Sequence, residues 1–289
     1  RVFGIAWASV AHTHSLFDPG MLRRFVDAYQ RVQPLTIGEL WAVAITLRIV
    51  LVENLRRGGR RIVAGSAARR EADALAVRLL SERAPPAEQM RSVFQHYERA
   101  PLPGSFAVQL VQRLGDQDPK VTRALVWLDE RLAAQATTAD GMVRDEDQRQ
   151  GATNVTVRNI ITSMRLISDF DWAELVERGS LVDETLRSGG DFASMDFPTR
   201  NLYRSAIEEL ARGSSLTELE IAQAALLAAS TAPCHAAEPA SRERDPGYYL
   251  VAGGRRALEA QAGFRPPLSS WLRRFNVTLR IGGYIGRVN

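Results

Sequence analysis

Four groupings in this sequence have residue types that could do chemistry. Asp169-Phe170-Asp171 is a D-x-D pair, the arrangement that can hold a divalent cation against a diphosphate. That role needs a loop after a buried strand, whereas this pair stands at the opening of an amphipathic helical pattern. There an aspartate is expected to satisfy free backbone amides instead. His12 and His14 form an H-x-H pair, but no Cys, His or acidic partner follows at a zinc spacing. Asp145, Glu146 and Asp147 are consecutive, so a helix points them in different directions and they read as a solvated face. Arg56 to Arg61 (RRGGRR) is a dense basic patch. His96 and His235 stand alone. A Gly-rich phosphate loop, a G-x-S-x-G elbow and an H-E-x-x-H pair are all missing from the sequence. No catalytic, cofactor-binding or metal-binding residue is therefore predicted.

Composition narrows the classes further. The chain has 289 residues, 45% hydrophobic and 24% charged, enough to build a buried core. Its 37 basic residues are balanced by 33 acidic ones, and the sequence pI of 9.6 reflects arginine spread along helix-like stretches. Nucleic acid is thus not an expected partner. One cysteine, Cys234, excludes an intramolecular disulfide. The sequence begins at Arg1 with neither a basic nor an apolar leader pattern, which suggests a piece of a longer polypeptide.

The elements that must position these residues follow a helical period almost throughout, so the class is mainly α, an array of antiparallel helical hairpins. Residues 20–31 read as a short helix. LTIGELWAVAITLRIVLVENLRR is the most apolar helix, expected to stop at Gly58 and Gly59. Glu39 and Arg48 interrupt it, so it falls short of the ~20 apolar residues of a membrane span. A charged helix is expected at 60–83, and shorter ones at 86–97 and 104–114. Asp118-Pro119 should open a helix reaching about Ala136, and another should run from Asp140 towards Leu166.

Asp171 with Glu174 suggests a capping box and a helix to about Arg187. Next come a helix at 198–211, with Leu202, Ala206 and Leu210 inward, and one opened by a Ser215/Glu218 box. Residues 232–246 read as a linker after a helical domain at 1–231. Residues 247–289 read as a connector next to a membrane, with a strand-like element near 248–252 and an apolar C-terminal stretch that could begin a membrane segment.

MDFPTRNLYRSAIEELARGSSLTELEIAQAALLAA at 195–229 resembles the M-D-F-x-T-R-x-x-Y-R segment of the cyclic β-1,2-glucan synthase family. Here Met195, Asp196, Phe197, Thr199, Arg200, Tyr203 and Arg204 carry the motif. The blocks at 33–57 and 154–187 resemble the family in the same order, as do GYYL, ALE and GFRPPL at 248–268, so most of residues 30–270 is covered. The chain departs from the family pattern at Arg200-Asn201, where Arg-Asp is common, in a shorter SGGDFAS loop, and at Asp245-Pro246-Gly247, where His-Val-Gly is expected.

The resemblance implies a large bacterial inner-membrane enzyme that uses UDP-glucose and a divalent metal to make and cyclise the glucan. It would place this chain on the cytoplasmic side, before the membrane and transferase domains that would be its partners. The motif residues are expected to be structural, with Asp196 as a helix cap, Arg200 and Arg204 in a ladder with it, and Tyr203 buried; the rival reading is a sugar or phosphate contact made by Arg200, Tyr203 and Arg204. A self-standing helical interaction module using residues 56–61 is the competing reading.

Overall fold

In a computed structural model, residues 1–80, 94, 95, 97, 100–115, 122–232 and 242–266 are described. The described residues form α-helices joined by short turns and one 3-10 turn, with no strand among them. The expected elements at 86–93 and at Asp118-Pro119, most of the linker at 232–246, and the stretch from residue 267 on lie outside the described residues. The chain divides into two compact units: Arg1–Ile5 with Gly20–Ala44 and Asp171–Asn289, and Ala6–Pro19 with Ile45–Phe170.

The second unit is built on the C-terminal half of α3 (Ile37–Leu80), the third helix after α1 (Val2–His12) and α2 (Pro19–Gln30). Ala68, Ala72, Leu75, Ala76 and Leu79 recur every three or four residues and bury one stripe of α3. In the same core lie Phe106, Leu110 and Leu114 of α4 (Gly104–Leu114), Leu128 and Leu132 of α5 (Thr122–Ala133) and Met142 of α6 (Ala139–Asp169). Thr138 caps α6 by accepting from the Gly141 amide. Ser163, near the other end of α6, accepts from the Phe17 amide at 2.7 Å and donates to the Ser15 carbonyl at 2.8 Å. That fastens a turn in which His14 and Ser15 both have positive φ.

The first unit surrounds α10 (Glu218–Thr231). Its Ile221, Ala222, Ala225 and Ala229 are buried, and these mostly small side chains let several neighbours approach closely. The neighbours are α8 (Leu181–Arg187), α9 (Phe197–Gly213), α11 (Pro246–Val251) and α12 (Arg255–Ala262). Val182, Leu186, Phe192, Tyr203, Ile207 and Leu250 complete the core. The buried stripe of α9 is Tyr203, Arg204, Ala206, Ile207 and Leu210, whereas Leu202, expected inside, is exposed.

Four expectations are corrected. Gly58 and Gly59 do not end a helix: α3 runs unbroken for 44 residues. Neither glycine has the positive φ of a helix-terminating glycine, and buried Leu47, Val50 and Leu51 on one side and Ala68 and Ala72 on the other hold the helix through them. The helix opened by Asp171 stops at Gly179 and is α7 (Trp172–Gly179). Ser180 is extended and caps α8 by accepting from the Asp183 amide at 3.1 Å. The capping box of α10 is Thr217 with Glu220, two residues after the expected pair; Glu218 instead accepts from the Ile37 amide at 2.7 Å. The strand-like element is the short helix α11, entered through Asp245 and Pro246, with Leu250 buried.

A methyl group added at Gly58 or Gly59 would meet nothing within 4 Å, and interior helix glycines cost roughly 0.5–1 kcal/mol against alanine. Gly58→Ala and Gly59→Ala should therefore each raise stability by about that amount, read as a higher urea midpoint; a lower midpoint would mean that the continuous helix is wrong here.

Candidate functional site

The motif residues open and fill α9. Asp196 is its N-cap, extended at φ −69° and ψ 161°, and its carboxylate accepts from the Thr199 amide at 3.0 Å. Hydrogen bonds from Thr199, followed by the nearby Arg200 charge, hold the Asp196 carboxyl below its ordinary range. Pro198 occupies the first turn, where its missing N–H costs no bond. Met195 packs half-buried on the core, and the Phe197 ring meets Trp41 edge-on at 6.4 Å.

Arg204 is the largest buried polar side chain, 1% exposed. Its Nε donates to Asp183 Oδ1 at 3.0 Å and its Nη2 to Asp183 Oδ2, a two-point clasp with a carboxylate that is itself fully buried. The same Nη2 lies 3.1 Å from Glu177 Oε1, which also receives Arg200 Nη2 at 3.2 Å. The guanidinium carbon stands 5.3 Å over the Phe197 ring. Burial works against the Arg204 charge, but the bonds and charges of Asp183 and Glu177 outweigh it and leave its pKa raised. The local ladder expected along α9 is thus replaced by pairs reaching back to α7 and α8.

Tyr203 lies beside Arg204 on the same buried stripe and reaches a different partner. Its hydroxyl donates to Asp245 Oδ1 at 2.8 Å, and the same oxygen accepts from the Gly247 amide at 2.6 Å, capping α11. Burial, then the Asp245 carboxylate, push the Tyr203 hydroxyl well above its ordinary pKa. A Cβ at Gly247 would occupy the space of that hydroxyl.

The other groupings are not brought to these residues as a site. Asp171 caps α7 by accepting from the Glu174 amide at 3.0 Å, and Asp169 is the last residue of α6. His12 ends α1 and His14 occupies a turn. Among the described residues, no three His, Cys, Asp or Glu side chains converge to hold a metal. Sequence reasoning missed an open groove of about 750 Å³ bordered by Glu184, Ser188, Gln223, Leu226, Arg244 and Pro246, since no local pattern joins these residues.

In this arrangement Asp196 caps its own helix, while Arg204 and Tyr203 bond to carboxylates of other elements. Asp183 occupies one edge of the Arg204 guanidinium, and the remaining Nη1, which has no hydrogen-bond partner, is buried away from solvent; a tyrosine bonded to a capping carboxylate is not poised to lose its proton. Removing one partner of a buried pair strands the other charge and costs roughly 3–5 kcal/mol. Arg204→Met should therefore lower stability by about that much, and adding Asp183→Leu should recover a large part of it in a double-mutant cycle of urea midpoints. Gly247→Ala should cost about 1–3 kcal/mol by overpacking, a cost relieved in a Tyr203→Leu background.

No family model matches the sequence. Over 275 residues the chain is 37% identical to the cyclic beta-(1,2)-glucan synthase NdvB of Rhizobium meliloti (strain 1021). The match covers 95% of this chain and 10% of that protein. Nearly the whole chain is therefore a relative of one segment of a cyclic β-(1,2)-glucan synthase, a protein of which it spans only about 10%.

Proposed function

We propose that this chain is a non-catalytic, all-helical segment of a membrane-bound cyclic β-1,2-glucan synthase, lying N-terminal to the membrane and transferase parts. In this reading its helices pair as antiparallel hairpins on the cytoplasmic side of a bacterial inner membrane. Its partners are the membrane and transferase domains of the same polypeptide. The parent draws on UDP-glucose and a divalent metal at a site elsewhere in its length.

One observation carries the reading: the polar side chains that make up the recognisable motif are engaged in holding helices together. Asp196 caps α9, Arg200 and Arg204 bind Glu177 and Asp183, and Tyr203 binds Asp245. Asp171, the second aspartate of the D-x-D pair, is likewise engaged as a cap. A catalytic diphosphate site would need such groups free and converging on one ligand.

Calorimetry on the chain with UDP-glucose and magnesium or manganese tests this, and no saturable micromolar binding is expected. Saturable binding abolished by Asp171→Ala, with helicity intact by circular dichroism, would make the D-x-D pair a ligand site and overturn the reading.

A further inference from the structure

Within the second unit, α3 turns one row of side chains away from its core. Ile45, Ile49, Val52, Arg56, Val63 and Arg70 fall at i, i+4, i+7, i+11, i+18 and i+25, so they share one face of the helix. The aliphatic members are 54%, 54%, 52% and 66% exposed. The opposite face holds buried Leu47, Val50, Leu51, Ala68 and Ala72. From Ile45 to Arg70 the helix carries seven arginines and one carboxylate, Glu53. That carboxylate lies on the flank, where Arg56 and Arg57 both bind it. Arg60, beside the row, and Arg70, within it, are exposed and have no acidic partner among the described residues.

We infer that this face of α3 lies on an anionic lipid surface. The row combines two features that water and nucleic acid satisfy only in part. Exposed isoleucine and valine gain nothing from a phosphate backbone, while interleaved arginines are out of place on an ordinary apolar docking face. A bilayer interface takes both: the aliphatic side chains enter the headgroup boundary, and the long arginine stems carry guanidinium groups to lipid phosphates. The helix would lie in the plane of the surface, since no described helix is long and apolar enough to cross a membrane. Of the seven arginines, Arg48, Arg56, Arg60 and Arg70 fall on or beside the row, which itself carries no carboxylate, so the face is self-repelling, which argues against a second copy as its occupant. The inference rests on this helix face alone and does not depend on the parent enzyme proposed above.

Sedimentation of the full chain with vesicles of phosphatidylcholine, with and without phosphatidylglycerol, tests it. Binding is expected only when phosphatidylglycerol is present. Arg60→Ala with Arg70→Ala should weaken it roughly thirtyfold, the worth of two interfacial arginines. Ile49→Ser with Val52→Ser should weaken it about tenfold through lost apolar contact. Both pairs are exposed, and circular dichroism should show unchanged helicity. Three results would each overturn the proposal: no preference for phosphatidylglycerol; binding untouched by either pair, which puts the contact elsewhere in the chain; or binding that needs the arginines but not Ile49 and Val52, the behaviour of a simple polyanion site.

Discussion

A guanidinium with almost no exposed surface must be met by carboxylates before the helix carrying it can pack, and Arg204 sets that condition for the first unit. Its partners come from two other helices, Glu177 from α7 and Asp183 from α8. On an unbroken helix, residues six apart do not share a face. The two carboxylates can converge on one arginine only because the chain breaks between them at Ser180, whose buried hydroxyl caps α8. The break, the cap and the ion pair are thus one device. Without the pair, closing α9 onto α8 would leave a charge stranded out of water, which is far more costly than losing one apolar contact.

The spacing of the motif follows from the same packing. Arg200 and Arg204 are one turn apart and reach the same carboxylate, that of Glu177. Tyr203 precedes Arg204 by one residue and is therefore turned about a quarter of the helix away, towards Asp245 and α11. Ile207 and Leu210 continue the buried stripe into the core around α10. A pattern of Asp, Thr, Arg, Tyr and Arg is what a capped helix with one charged edge and one aromatic edge requires. It can be kept among related sequences without any of these side chains touching a substrate.

What could be read from the sequence was local. The Asp171 and Asp196 caps, the start of α6 and the helical class each depend on residues within a turn or two of one another. What escaped was set at a distance. The continuity of α3 through Gly58-Gly59 depends on buried residues on both sides of the pair. The break at Ser180 depends on carboxylates finding an arginine 21 residues beyond Asp183. GYYLV has the aromatic and β-branched residues of a strand, yet Asp245 and Pro246 open a helix and burial of Leu250 completes it. The groove was illegible for the same reason, since Glu184, Gln223 and Arg244 lie on separate elements.

The departure at Asp245-Pro246-Gly247 shows how one substitution can be absorbed. Where the resemblance leads one to expect a histidine, this chain has a carboxylate whose Oδ1 accepts from both the Tyr203 hydroxyl and the Gly247 amide. A neutral imidazole has a single acceptor nitrogen, whereas each carboxylate oxygen offers two lone-pair sites. Aspartate therefore anchors the tyrosine and caps the helix with one atom, and Pro246 then supplies a first helical residue that has no amide to satisfy. The two hydrogen bonds to Oδ1 also fix how close the two segments come. The Gly247 amide and the Tyr203 hydroxyl share that oxygen, and position 247 has no room for a side chain. Aspartate at 245, glycine at 247 and tyrosine at 203 are accordingly one unit of structure spread over 45 residues of chain, and a change at any of them has to be read against the other two.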